Sequence, residues 1–207
     1  MNNIYLTRHG STLWNLEKRL QGSNDSELTD EGIFQAKLLA KRIKDLNISK
    51  IYTSPIKRAY RTAEIIKGDM DIDVICKDGF KEISFGEYEG SIESELLNEN
   101  RGYEIGEIFK GNLDVKAPGG ESLRELYDRV SSTLDDIFDN IEGDILIVTH
   151  ATTLKAILCY FEGKLEFRDL IMGQATLTKV VKNDNKFIIE YMNDDSHLEK
   201  NNKKIGW

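Results

Sequence analysis

Four apolar residues in a row, Ile145-Leu146-Ile147-Val148, stand between Asp144 and Thr149. A strand that is apolar on both faces must be covered on both faces, as in the parallel sheets of α/β proteins. This run constrains the fold more than any other part of the chain. The segments that could cover it are present. Ile33, Ala36, Leu39, Ala40, Ile43 and Leu46 recur at helical spacing behind Thr29, a helix N-cap followed by Asp30 and Glu31 in the first turn. Leu123, Leu126, Val130, Leu134, Ile137 and Ile141 mark a long amphipathic helix, and Leu154, Ile157, Leu158 and Phe161 a further one. Ser54 and Pro55 read as N-cap and first position of a helix running to about Lys67. Strand patterns occur at Asn3 to Thr7, Ser49 to Thr53 and Asp73 to Cys76, and a hairpin joins Thr176–Val181 to Phe187–Tyr191 across Asn183-Asp184-Asn185. Strands alternating with helices predict a three-layer α/β/α sandwich around a mostly parallel sheet. We find no repeat and no linker, so 1–207 reads as one domain, with a lid-like insertion at about 83–118 and a frayed polar tail at about 195–207.

Composition narrows the partners. The 207 residues are 40% hydrophobic and 31% charged, as in a globular protein, and the net charge of -8 argues against nucleic acid. No apolar run nears the ~20 residues that span a bilayer, and no basic-then-apolar leader is visible. The two cysteines, Cys76 and Cys159, read as small buried residues and not as a disulfide framework. These features predict a cytoplasmic protein without a membrane partner. Oligomeric state is not encoded legibly; an isologous homodimer is expected only because such symmetry is common.

In open α/β sheets, ligands bind beyond the carboxyl ends of the strands. That rule selects Arg8 and His9 after the first strand, Ser54 to Arg58 after the second, and His150 after the buried one. Two arginines, two imidazoles and two helix N-termini make a site for a dianion, and phosphate fits it. Phosphoryl transfer relies chiefly on positioning and positive charge. A neutral imidazole can serve as nucleophile near neutral pH, and a carboxyl is needed to protonate the leaving oxygen. His9 is the candidate nucleophile and Glu82, after the third strand, the candidate acid, with Glu87 and Glu89 as the nearby alternatives. A zinc triad of His9, His150 and Glu82 is disfavoured because two arginines in the same pocket repel a cation; no metal or cofactor is expected.

Seven segments then fall into a familiar order: Leu6-Thr7-Arg8-His9-Gly10 with Trp14-Asn15; Leu16 to Gly22; Leu28-Thr29-Asp30-Glu31-Gly32; Thr53 to Ala59; Glu82 with Phe85-Gly86; Gly119-Gly120-Glu121-Ser122; and Val148-Thr149-His150. In this the chain resembles the histidine phosphatase superfamily, which contains cofactor-dependent phosphoglycerate mutases and many small phosphatases. The resemblance implies that His9 becomes phosphorylated and that Arg8, Arg58 and His150 grip the phosphoryl group. It also implies that Asn15, Gln21 and Gly22 line the pocket, that the backbone N–H of Ala151 is available there, and that Glu82 is acid and base. Asn15 and Gln21 also read simply as turn residues. Two positions depart from the pattern. Ala151 stands where glycine is usual, and Ser11 where glutamate or glutamine is frequent.

Between Ile83 and Pro118 acids dominate, and the only basic residues are Arg101, Lys110 and Lys116. A mutase must hold its substrate's carboxylate and exclude water, so this segment favours hydrolysis. It predicts a lid that discriminates against substrates with additional negative groups. The stretch Glu82 to Gly90 also resembles phosphatases acting on esters such as α-ribazole phosphate. The expected activity is hydrolysis of a small phosphate monoester. The alternatives are a phosphoglycerate mutase and a phosphate-binding interaction module without turnover.

Overall fold

A computed structural model describes residues 2–98, 102–184 and 186–198. Six strands form one sheet: β1 (Asn2–Arg8), β2 (Ile48–Thr53), β3 (Asp73–Cys76), β4 (Asp144–Thr149), β5 (Leu177–Asn183) and β6 (Lys186–Asp194). Their order is β3-β2-β4-β1-β5-β6. The first four are parallel; β5 pairs antiparallel with β1, and β6 antiparallel with β5 at the edge. Seven helices accompany them: α1 (Leu13–Leu16), α2 (Asp30–Ile43), α3 (Lys57–Lys67), α4 (Glu93–Asn98), α5 (Tyr103–Phe109), α6 (Leu123–Phe138) and α7 (Ala151–Glu162).

The apolar run divides its side chains between two layers, as period-2 geometry demands. Ile145 and Ile147 join Ile4, Leu6 and Val180 beneath α6 and α7, where Leu126, Val130, Leu134, Leu154 and Ile157 are buried. Leu146 and Val148 face the opposite way with Tyr5, Ile51 and Leu177, beneath Leu39 and Ile43 of α2 and Ala63 and Ile66 of α3. The parallel register also sets the site. Arg8 lies opposite Thr149, and Val148 opposite Thr53. The residues that follow, His9, Ser54 and His150, therefore leave the sheet side by side.

Several sequence expectations need correction. Ser54 does not cap a helix. Its Oγ accepts from the Ile56 N–H at 3.2 Å and bonds the His150 ring, so the chain makes a turn and α3 opens two residues later, with Ile56 in the extended cap position. Helix α6 stops at Phe138; Ile141 lies beyond it, half-buried against the same core. Cys76 is exposed, because it ends a four-residue strand at the sheet edge, whereas Cys159 is buried. The stretch 8–28, which shows no regular pattern, contains α1, whose N-cap Thr12 and Asn15 form a reciprocal capping box. Within the described part of the tail, His197 Nε2 is 2.8 Å from the Ala175 carbonyl oxygen. Arg101, Asn185 and the rest of the tail expectation, 199–207, lie outside the described residues.

Candidate active site

The chain leaves β1 under tight control. The His9 N–H donates to the Thr149 carbonyl at 2.9 Å, the Ala175 N–H to the Arg8 carbonyl at 3.0 Å, and the Gly10 N–H to Thr62 Oγ1 at 3.1 Å. Gly10 itself packs on the start of α2, where an added Cβ would lie 2.4 Å from the Gly32 carbonyl oxygen. Any other residue here would push the His9 loop off the helix.

His9 is 2% exposed, and its Nδ1 lies 2.8 Å from the Gly10 carbonyl oxygen. A carbonyl can only accept, so Nδ1 carries the proton and the lone pair of the neutral ring is on Nε2. Burial pushes this imidazole well below the usual histidine range; Arg58 and Arg8 push the same way, and the Gly10 bond opposes them. His9 is therefore held in the nucleophilic, unprotonated form at neutral pH. His150 packs edge-on against it, with ring centroids 5.3 Å apart. Its Nε2 is 2.8 Å from Ser54 Oγ. It too is driven well below its ordinary value, first by burial and then by Arg58, His9 and Arg8.

Both arginines are committed at one end and open at another. Arg8 donates from Nη1 to the Met172 carbonyl at 2.9 Å. Arg58, 2% exposed, donates from Nη1 to the Asn24 carbonyl at 2.6 Å and from Nη2 to the Gly22 carbonyl at 2.8 Å, with Asp25 Oδ1 3.4 Å away. Among the described residues, Arg8 Nε, Arg58 Nε and His150 Nδ1 are buried nitrogens without a hydrogen-bond partner. An unsatisfied buried donor costs about 1–3 kcal/mol, so the two guanidinium Nε–H groups beside His9 mark a place built for an acceptor-rich guest. Burial lowers the Arg8 guanidinium to about 10, with Glu82 opposing the fall and Arg58 adding to it, so it remains cationic at neutral pH.

Glu82 is 8% exposed and anchored to the start of α7. Its Oε2 accepts from the Thr152 N–H, and its Oε1 from the N–H and Oγ1 of Thr153, each at 3.1 Å. This carboxylate supplies the helix capping that the His150 side chain does not. Arg129 fixes the backbone beneath it, donating to the carbonyls of Gly79, Lys81 and Glu82.

A cavity of about 470 Å³ opens on this rim. Arg8, His9, Arg58 and Glu82 line it, as do Asn15, Gln21, Gly22 and Ala151. His150 is fully buried behind His9 and does not form part of the wall. Asn15 and Gln21 also serve the local fold: Asn15 Oδ1 accepts from Thr12 N–H and Oγ1, and Gln21 Oε1 accepts from the same hydroxyl. Ser11 is buried away from the cavity, and the Ala151 methyl is accommodated in its wall. Among the described residues, no group of His, Cys, Asp and Glu side chains is arranged to hold a metal ion.

The acidic segment behaves differently from the expectation. Glu89 turns inward and accepts from the N–H groups of Ser23 and Asn24 at 2.8 and 2.9 Å, and from Ser84 Oγ and the Phe85 N–H. It holds the loop whose carbonyls Arg58 grips. Gly22 adopts φ 53° there, and a Cβ would lie 2.2 Å from Glu89 Oε1. Glu104 accepts from the Tyr88 hydroxyl, Glu107 pairs with Lys110, and Asp114 with Arg124. Of the segment's acids, only Glu93 lines the cavity among the described residues, facing Lys18 and Arg19 from the α1 side. Glu89, Glu104, Glu107 and Asp114 therefore meet partners within the protein and not the cavity.

Sequence reasoning also missed Ser54 as a His150 partner, Thr62 under Gly10, and Thr152 and Gln174 in the wall. Gln174 belongs to a loop clasped by Asn193. The Asn193 amide donates from Nδ2 to the Ile171 carbonyl at 2.6 Å and accepts at Oδ1 from Thr176 Oγ1 at 3.0 Å and the Gly173 N–H at 3.3 Å. Ala175 and Asn193 both lie in the left-handed region, with φ 51° and 52°.

An α/β sheet with two histidines and two arginines at its carboxyl rim defines an enzyme of phosphoryl-transfer type. The chain belongs to the histidine phosphatase superfamily, branch 1, whose family model matches residues 4–195. It is 32% identical over 207 residues to the probable phosphoglycerate mutase GpmB of Shigella dysenteriae, covering 96% of each chain. Among solved structures it is similar to YhfR of Bacillus stearothermophilus, with 31% identity, a TM-score of 0.86 and coverage of 96% of this chain and 100% of that one. It is also similar to a phosphoserine phosphatase of Entamoeba histolytica crystallised with phosphoserine, at 30% identity and a TM-score of 0.83, again covering 96% and 100%.

Proposed function

We propose that the protein is a metal-independent phosphatase that hydrolyses a small phosphate monoester through a phosphohistidine on His9. The observation that carries this reading is the neutral His9 ring, with Nδ1–H tied to Gly10, set beside two buried arginine Nε–H groups that lack acceptors. In the first step His9 Nε2 bonds to phosphorus as the ester P–O bond breaks, and Glu82 gives its proton to the departing alkoxide. Arg8 and Arg58 balance the charge on the non-bridging oxygens, and the neutral His150 ring contributes a hydrogen bond and no charge. In the second step Glu82 takes a proton from water as that water's oxygen bonds to phosphorus and the N–P bond breaks. Phosphate leaves and His9 is neutral again.

The likeness to the phosphoserine phosphatase supports water as acceptor. A second reading, a mutase, is favoured by the relative named as a probable phosphoglycerate mutase and by Lys18 and Arg19 in the cavity wall. The Arg19 guanidinium is already engaged, by Glu17 at 2.5 Å and the Gly90 carbonyl at 2.8 Å. The deciding experiment treats the enzyme with chelator and follows phosphate release from phosphoserine and 3-phosphoglycerate, beside His9→Ala. Hydrolysis that resists chelation, with an acid-labile phosphoryl label absent from the variant, is expected. Isomerisation of 3-phosphoglycerate without phosphate release would establish the mutase instead.

A further inference from the structure

We propose that the ester cleaved at this site carries an apolar, ring-sized alcohol in place of a short polar one. The inference rests on the phosphatase reading and concerns the part of the cavity beyond the phosphate end. A volume of about 470 Å³ falls within the roughly 300–1,000 Å³ of sites that enclose drug-sized ligands. A phosphate with a three-carbon acid leaves much of it unfilled.

The remainder is walled by Trp14, Leu20, Phe85, Leu97 and Phe109. These come from five separate places: α1, the loop after it, the turn after Glu82, helix α4 and helix α5. Phe85 is 5% exposed and meets Phe109 edge-on at 6.1 Å, so the wall has a fixed aromatic base. Trp14 is half-buried against the Gly90 backbone, where a Cβ would lie 3.3 Å from its ring.

Leu97 and Phe109 distinguish a binding wall from a piece of core. Helix α4 already buries Leu96, and α5 already buries Ile105 and Ile108. These two short helices thus have their anchors, yet each presents a further large apolar side chain to the cavity. Leu97 is 40% and Phe109 42% exposed. Neither is among the buried residues that anchor its helix, and apolar surface gathered around a cavity marks a ligand contact. The charged part of the rim carries both signs, Lys18 and Arg19 with Glu93, and so does not call for a second anionic group on the substrate.

The test centres on benzyl and ethyl phosphate, whose leaving alkoxides are alike in basicity, so that binding and not leaving-group chemistry is read. We expect kcat/KM for benzyl phosphate to exceed that for ethyl phosphate and for phosphoserine at least tenfold. Leu97→Ser and Phe109→Ala should each remove most of that ratio. In parallel, calorimetry on the intact enzyme compares benzylphosphonate with ethylphosphonate, which bind without being cleaved. A ratio near one for the phosphonates, or a preference for phosphoserine among the esters, overturns the inference. Tighter binding of benzylphosphonate without turnover of any ester would sustain it while removing the phosphatase reading.

Discussion

The inner rim and the outer wall of the cavity are built on opposite terms. The rim hangs from the ends of β1, β2 and β4, and its side chains are buried and tied to backbone on several sides. The outer wall comes from short elements around α1, α4 and α5, where Phe85 and Leu20 are buried but Leu97 and Phe109 stay about two-fifths exposed on the cavity. A buried, over-determined rim fixes one chemistry. A wall of loosely held apolar groups can change its guest without disturbing that chemistry, because the energies of the two regions are separable.

Arg58 is where the comparison breaks most readily, because it belongs to the rim but holds the loop leading to the wall. Arg58→Met should lower kcat/KM roughly 100- to 1,000-fold. It should also destabilise the fold by about 3 kcal/mol, since the carbonyls of Gly22 and Asn24 and the Asp25 carboxylate lose their donor. Steady-state kinetics and denaturant melts measure the two effects; loss of activity at unchanged stability would show that the loop does not depend on it.

Glu82→Gln isolates proton transfer within the rim. kcat/KM for alkyl esters, which reads the phosphorylation step alone, should fall roughly 100-fold, and that for p-nitrophenyl phosphate much less, since its leaving group needs no proton. Equal losses on both would remove Glu82 from the role of acid.

Acid sharpens the contrast through stability. His9 and His150 bind protons more readily unfolded than folded, so their contribution is complete above pH 6.5 and is lost as pH falls below it. Each histidine adds up to about 1.4 kcal/mol per pH unit over that descent. Melting at pH 7, 6 and 5 should show this slope, and it should be shallower in His150→Asn. The same depressed values keep His9 unprotonated below pH 6.5, so the acid limb of kcat/KM should not begin at an ordinary histidine value. The smallest effect belongs to the wall: Leu97→Ser, at a 40% exposed site, should shift stability by no more than about 0.5 kcal/mol.

The rim was legible in the sequence because its residues follow strands whose apolar patterns are plain, and the parallel register then aligns them. His9, Arg58 and His150 are neighbours for that reason, and the alternation of Ile145 to Val148 between two helix layers follows from the same pattern. Ser54 was misread because a hydroxyl before proline serves equally as a helix cap or a turn, and the His150 ring that selects the turn is 96 residues away. The wall was opaque for a related reason. The acids of 83–118 look like one charged surface in sequence, but only tertiary contacts show that Glu89 turns inward to a loop near residue 23 while Glu107 and Asp114 are spent on Lys110 and Arg124. Helices as short as α1 and α4 carry too few turns for periodicity to mark.

The Asn193 clasp has a practical corollary for anyone who trims or tags this chain. Every side chain given a role in the proposed mechanism precedes residue 151, so a protein cut after Met192 would look complete on paper. It would nonetheless lack the amide that steadies 171–176, whose Met172 carbonyl receives the Arg8 guanidinium. The last strand is thus a remote brace for the first, and the carboxyl terminus of the sheet is an unsafe place to shorten or fuse.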